Sequence, residues 1–268
     1  MADPMVIVDD LHVVYRVYGA GGDNGTAATA LMRMIRKQRR PSIREVHAIR
    51  GMSFVAYRGD VVGVVGRNGS GKSTLLRAVA GLLPAEHGAV YSEGHAALLG
   101  VNAALLDDLT GDRNVVLGCL AMGMTPQEVK EKHDEIVDFS GVGDFINLPM
   151  RASSTGMGSG LRIAIASSKS HDVLLIDEAL ATGDAEFRRK SHERINELRQ
   201  EAGTVFIVAH NLNEIYDTCN RVIWLEKGQI VRAGSDVPGI LDAYLEASGS
   251  EPQYRELQET AKASQSAG

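Results

Sequence analysis

This sequence of 268 residues has only two cysteines, no long apolar run and no net positive charge. The two cysteines, Cys119 and Cys219, are far apart and lack metal-ligand spacing, so we expect reduced thiols in a cytosolic protein. No apolar run approaches the roughly 18 residues that a membrane-spanning helix needs, and the acidic N-terminal stretch lacks the shape of a signal peptide. A net charge of -6 argues against nucleic acid as the main partner. We therefore expect a cytoplasmic protein that would need a partner for any role in a membrane.

Residues 66–74, GRNGSGKST, fit the phosphate-binding pattern G-x-x-x-x-G-K-[ST]. A β-branched run over 60–65 precedes them and a helical pattern over 75–81 follows, which is the context the pattern requires and which disfavours an ordinary glycine turn. Glycines let successive backbone N–H groups point at phosphate oxygens, and the start of the helix adds its positive dipole end. Lys72 can reach the β- and γ-phosphates, and the Ser73 hydroxyl can hold Mg²⁺. The predicted nucleotide-binding residues of this phosphate loop are Gly66, Arg67, Asn68, Gly69, Ser70, Gly71, Lys72, Ser73 and Thr74.

The remaining pattern alternates strands with helices, which predicts a mostly parallel sheet with helices on both faces. Residues 5–8 and 11–15 resemble an edge hairpin, and 46–57 a further strand. A hairpin over 221–234 turns at Lys227–Gly228. The other predicted strands are 88–99, 173–176 and 205–208, and the predicted helices cover most of 105–145, with a start at 125–128, then 154–168 and 187–202.

Two of the predicted strands end in residues that can do chemistry. Asp177 and Glu178 follow the apolar run 173–176, and His210 follows 205–208, at strand ends where α/β sheets bind ligands. One carboxylate can hold Mg²⁺ and the next can polarise an attacking water, while a neutral imidazole can orient that water. Alone, these residues also suit a solvated acidic turn and a capping histidine. The phosphate loop upstream favours catalytic roles for Glu178 and His210 and a Mg²⁺ site at Ser73 and Asp177.

The order of phosphate loop, Gly/Ser helix entry, hydrophobic-Asp-Glu, Gly-Asp turn and strand-end His resembles that of ABC-type ATPases over about residues 5–245. Residues 154–157 (STGM) stand at the signature position, 181–187 (ATGDAEF) at the D-loop, and 109–114 (LTGDRN) precede the helical subdomain. Together they are similar to the nucleotide-binding subunits of bacterial polysaccharide and teichoic-acid exporters, the Wzm–Wzt type. The resemblance implies an α/β fold: a P-loop NTPase (RecA-like) core with a mostly parallel sheet, a helical subdomain over about 105–168 and an N-terminal antiparallel β-subdomain. These would lie within residues 1–247, followed by a flexible tail over 248–268.

The resemblance also implies a head-to-tail homodimer that binds two ATP molecules with Mg²⁺ at its interface and works with two copies of an integral membrane permease. Each site would join the phosphate loop of one copy to Ser154 and the Gly156 N–H of the other, which bind the γ-phosphate. The roles carried over are Asp177 for Mg²⁺, Glu178 as base, His210 as switch, Asp184 at the interface and Tyr15 against adenine. Tyr18 is the second choice for adenine, and edge-strand packing is the alternative role for Tyr15.

Several positions depart from the family pattern. Ser153 stands at the position of the usual signature Leu, Gly156 and Met157 stand at the second and third positions of Gly-Gly-Gln, and Gly160 stands where an Arg is usual. Between Ala89 and Met124 there is no Gln to reach Mg²⁺, and Asn102 is the nearest polar substitute. Two alternatives therefore stay open: a soluble ABC-type ATPase acting on nucleic acid or ribosomes, and a nucleotide-gated regulatory module with little turnover.

A basic, amphipathic insertion over about 27–41 separates two of the N-terminal strands. Leu31, Met34 and Ile35 share one helical face, with cations around them at 33, 36, 37, 39 and 40. Residues 30–40 are too short to span a bilayer but suit its surface; a mobile loop and a nucleic-acid arm are the alternatives. We expect a peripheral protein on the cytoplasmic side of the cell membrane, held by the permease and by this segment.

Overall fold

A computed structural model describes residues 3–18, 43–99, 105–169, 171–177, 185–208 and 211–249. Its strands are β1 Pro4–Tyr18, β2 Ile43–Tyr57, β3 Val61–Val65, β4 His87–Ser92, β5 Ala96–Leu99, β6 Val173–Asp177, β7 Thr204–Val208, β8 Arg221–Glu226 and β9 Gln229–Gly234. Its helices are α1 Lys72–Val79, α2 Gly111–Ala121, α3 Pro126–Ser140, α4 Thr155–Ala166, α5 Ala185–Glu201, α6 Leu212–Thr218 and α7 Val237–Ser248. Within these ranges, no helix is both long enough and apolar enough to cross a bilayer.

The central sheet has six strands in the order β5-β6-β7-β3-β8-β9. All its pairings are parallel except the β8–β9 hairpin, so the predicted mostly parallel sheet is confirmed. Leu175 packs into one apolar cluster while its neighbours Leu174 and Ile176 pack into another. Because both faces are covered, the strands read as continuous apolar runs.

The N-terminal sheet contains one correction to the sequence analysis. Residues 5–8 and 11–15 do not form a hairpin: both belong to β1, which lies between β2 and β4 and pairs antiparallel with each. The register shifts between Val8 and Leu11, where Asp10 takes a φ of 41°. This bulge changes the alternation, so that Val6 and Val8 before it, and Leu11 and Val13 after it, are all buried. In the sequence, this shift in the alternation of apolar residues resembles a turn, but in the structure it is a kink within one strand.

Helices α2, α3 and α4 share their own apolar cluster, which includes Val115, Ile136 and Leu161. Helix α3 begins as predicted: Thr125 and Glu128 form a reciprocal capping box, and Pro126 occupies the first turn. The loop over residues 105–110, which precedes α2, is held by the buried Asn114. The side-chain amide nitrogen of Asn114 donates to three backbone carbonyls of this loop, and its oxygen accepts from Leu106 N. Residues 105–110 are therefore an ordered loop rather than helix.

Candidate functional site: a phosphate loop in a cationic cleft

The phosphate loop joins the end of β3 to the start of α1. Gly66 has a φ of 149°, and a Cβ on it would collide with the backbone oxygen of Leu225. Gly71, the N-cap of α1, has a φ of 107°, and a Cβ there would lie 2.8 Å from the Ala48 carbonyl oxygen. Residues with a Cβ rarely adopt such backbone conformations, so both positions require glycine. The loop can thus curl tightly against β2 and β8 and lead directly into a helix N-terminus, the usual position for a phosphate.

Lys72 lies across this loop. Its Nζ donates to the carbonyl oxygen of Gly66 at 2.6 Å and to that of Arg67 at 3.2 Å. The Ser70 side chain is buried beneath, and its Oγ has no hydrogen-bond partner among the described residues. The phosphate loop therefore combines the ammonium group of Lys72 with the free backbone N–H groups at the start of α1, which makes it a site for anions.

The loop opens into a cleft of about 880 Å³. Three cationic residues, Arg50, Lys72 and Lys227, and one carboxylate, Asp177, are among its described lining residues. The described residues that line the cleft are Tyr15, Val46, His47, Ala48, Arg50, Asn68, Gly69, Gly71, Lys72, Ser73, Thr74, Asp177, Val208 and Lys227. This volume is typical of small-molecule sites, and the excess of cations suits a polyphosphate.

Ser73 and Asp177 reach the cleft from two neighbouring parts of the fold. Ser73 lies in the first turn of α1, and Asp177 is the last residue of β6, paired in parallel with Val208 of β7. A hydroxyl and a carboxylate are the hard oxygen ligands that Mg²⁺ prefers. The residues present therefore fit a magnesium ion bound beside a phosphate.

Tyr15 lies on β1 opposite Val46 of β2, at the border of the cleft. Its hydroxyl is 3.4 Å from Thr74 Oγ1, so the ring is held next to the end of the phosphate loop. Tyr15 is only partly buried, which leaves part of its surface open to a ligand. At this position the Tyr15 ring can pack on the edge strand and can also contact a nucleotide base.

Ser154 and Gly156 are not among the described residues that line the cleft. Ser154 is the N-cap of α4, where its Oγ accepts a hydrogen bond from Met157 N at 3.2 Å, and Gly156 lies in the first turn. The start of α4 therefore does not belong to the described lining of this chain's own cleft. Glu178, Asp184, His210, Asn102 and the segment 27–41 lie outside the described residues.

Sequence reasoning missed one wall of the cleft. Val46, His47, Ala48 and Arg50 of β2 line it, together with Lys227 of the β8–β9 turn. The sequence predicts a hairpin turn at Lys227–Gly228, but no local pattern connects this turn with a phosphate loop about 150 residues earlier. These residues come together because β8 pairs with β3 and because β2 packs against the β8–β9 hairpin.

Comparison with known proteins agrees with this geometry. A family model described as "ABC transporter" matches residues 49–181. The teichoic acids export ATP-binding protein TagH of Staphylococcus saprophyticus is 36% identical over 198 residues, which cover 74% of this chain and 75% of that protein. TagH of Bacillus anthracis is 39% identical over 75% of this chain, but the match spans 36% of that longer protein. The O-antigen export system ATP-binding protein RfbB of Myxococcus xanthus is 34% identical over 85% of this chain and 53% of its own length.

Two solved structures share the fold. The ATP-binding cassette MJ0796, a dimer bound to ADP and Pi, superposes with a TM-score of 0.64 at 20% identity, over 86% of this chain and 98% of that one. An ATP-binding subunit of an ABC transporter superposes with a TM-score of 0.65 at 21% identity, over 96% of this chain and 98% of that one. The fold and the cleft together define an ABC-type ATPase domain. The chain belongs to the ABC transporter ATP-binding family, in the group that includes the teichoic acid and O-antigen export proteins.

Proposed function

We propose that this chain binds and hydrolyses ATP with Mg²⁺ in order to drive a membrane partner that exports a cell-envelope polysaccharide. The observation that carries the ATPase proposal is the single cleft that joins the phosphate loop, Asp177 and Tyr15. The sequence identity to teichoic acid and O-antigen export proteins supports the proposed class of cargo, a lipid-linked polysaccharide.

Each predicted site residue has a role in this proposal. The phosphate loop and Lys72 hold the phosphates, Ser73 and Asp177 hold Mg²⁺, and Tyr15 packs on the adenine. Glu178 follows Asp177 directly in the sequence and is proposed as the base that polarises water, with His210 orienting that water. Bound Mg²⁺ would neutralise charge that develops on the phosphate oxygens.

The active form is proposed to be a head-to-tail homodimer. Ser154 and Gly156 lie at the start of α4, outside this chain's own cleft, which suits binding of the γ-phosphate held by a second copy. The dimer would associate with two permease subunits on the cytoplasmic side of the membrane. We propose that residues 1–247 form the ATPase domain, with a helical subdomain over 105–168. Of the tail that the sequence predicts over 248–268, Ser248 is the last residue of α7, and the part after Gly249 lies outside the described residues.

Purification from membranes tests this function against the alternatives. An affinity-tagged chain is expected to co-purify with a polytopic membrane protein in detergent, and the complex is expected to release phosphate from ATP in a Mg²⁺-dependent way. A Lys72→Ala variant is the control for phosphate release, because it removes the cation that lies across the phosphate loop. Co-purification of RNA without a membrane protein would instead support the nucleic-acid alternative, and ATP binding without turnover would support the regulatory one.

A further inference from the structure

The β8–β9 turn packs directly against the phosphate loop. Gly228 N donates to Ser70 O at 2.9 Å, and Gly228 O accepts from Arg50 N at 2.8 Å. A Cβ on Gly71 would lie 3.7 Å from Gly228 Cα, so the two backbones are in close contact. The turn therefore bridges the loop that binds phosphate and the strand β2 that lines the cleft.

Lys227 is held at the cleft by the conformation of this turn. Its φ is 47° and that of Gly228 is 82°, the left-handed pair that closes a tight hairpin. A lysine rarely adopts such a φ, whereas asparagine does so readily. The Lys227 side chain is exposed, lines the cleft, and has no hydrogen bond or ion pair with any residue in the described part of the chain. Arg50, the other additional cation, donates through Nε to the His47 carbonyl oxygen.

We propose that Lys227 is a further nucleotide-binding residue, whose ammonium group pairs with the phosphate chain of ATP from the β8–β9 turn. This inference rests on the proposed function, because it assumes that ATP occupies the cleft. Lys72 donates to two carbonyl oxygens of the phosphate loop, and a second cation on the adjacent β8–β9 turn would attract the same polyanion. The hydrogen bonds of Gly228 hold the backbone next to Lys227 against the phosphate loop.

The decisive variant is Lys227→Asn. It removes the charge but keeps, and even favours, the left-handed conformation that the turn needs. The matched control is Arg232→Asn, which removes an exposed cation from β9 of the same hairpin, outside the lining of the cleft. The full chain is titrated with MgATP by calorimetry at low and at physiological salt, and its Tm is measured in parallel.

We expect Lys227→Asn to raise the Kd for MgATP about three- to tenfold at low salt, with a smaller effect at higher salt because the interaction is electrostatic. Its Tm should equal or exceed that of the wild type, and Arg232→Asn should change the Kd less than twofold. A Kd for Lys227→Asn within twofold of the wild type, or an equal loss in Arg232→Asn, would overturn the inference. Failure of the wild-type chain to bind MgATP would instead contradict the proposed function.

Discussion

At the scale of the residue, Glu178 carries the chemical step of the proposed function. Glu178→Gln removes the negative charge that polarises water but leaves the phosphate loop and Asp177 intact, so ATP binding should persist. We expect steady-state hydrolysis to fall about 10²–10⁴-fold, as is usual for loss of a general base. Phosphate release and a nucleotide titration on the same preparation measure the two effects separately. Hydrolysis within a few-fold of the wild type would show that another group acts as the base.

Gly228 tests how strongly the β8–β9 turn depends on one residue. It has a φ of 82°, and an added Cβ would lie 2.6 Å from the Ala48 carbonyl oxygen. Gly228→Ala combines left-handed strain with a backbone clash, and should lower the free energy of unfolding by about 2–4 kcal/mol.

The matched control for Gly228 is Gly59→Ala. Gly59 also has a positive φ, 87°, but a Cβ there would meet nothing within 4 Å. We therefore expect only the conformational cost, about 1–2 kcal/mol. Urea denaturation of both variants provides the measurement. Equal losses in the two variants would show that contact with Ala48 has no energetic effect.

At the scale of the element, the start of α4 is proposed to complete the site of a second copy. ATP added to Glu178→Gln should drive dimerisation, because the bound nucleotide is not consumed. Ser154→Arg in the same background should block it by placing a bulky cation where the phosphate would bind, and Ser154→Asp should block it by charge repulsion. The aspartate variant still caps α4, which separates binding from helix stability.

Sedimentation at saturating ATP measures this effect. Ala247→Arg, which adds a cation to an exposed position of α7, is the control and should still dimerise. Equal dimer content in all these variants would refute a site shared between two subunits.

Elements differ in how far their sequence predicts them. The start of α3 follows from four consecutive residues, since Thr125, Pro126 and Glu128 satisfy the free N–H groups of the helix locally. The strand β1 does not, because its bulge at Asp10 has the local pattern of a turn. Pairing with β2 and β4 on both sides determines that this segment continues as one strand.

At the scale of the whole molecule, the basic segment is proposed to contact the membrane surface. Replacing Arg33, Arg36, Lys37, Arg39 and Arg40 by Gln removes five cations, each worth on the order of 1 kcal/mol near anionic lipid. We expect the basal ATPase activity of the isolated chain to stay unchanged, because none of the proposed nucleotide-binding or catalytic residues belongs to this segment. Transport by the complex in anionic proteoliposomes should fall.

In the control variant each of the four arginines is replaced by Lys and Lys37 is replaced by Arg. This variant keeps all five charges and should preserve transport. Binding of the isolated chain to phosphatidylserine vesicles, compared with phosphatidylcholine vesicles, provides a second measurement. Unchanged transport in a normally assembled complex would favour a mobile loop.

Local sequence patterns predict the phosphate loop, the apolar strands of the core and the strand end at Asp177, because each depends on residues within a few positions of one another. Glycine at 66 and 71, apolar runs and a helix start are local requirements of backbone geometry. The tertiary structure decided which distant residues share the cleft: Tyr15 beside Thr74, Arg50 on β2 and Lys227 on the β8–β9 turn. These meet only because strand pairing and burial bring separate segments to the same edge of the fold, and no local pattern encodes that meeting.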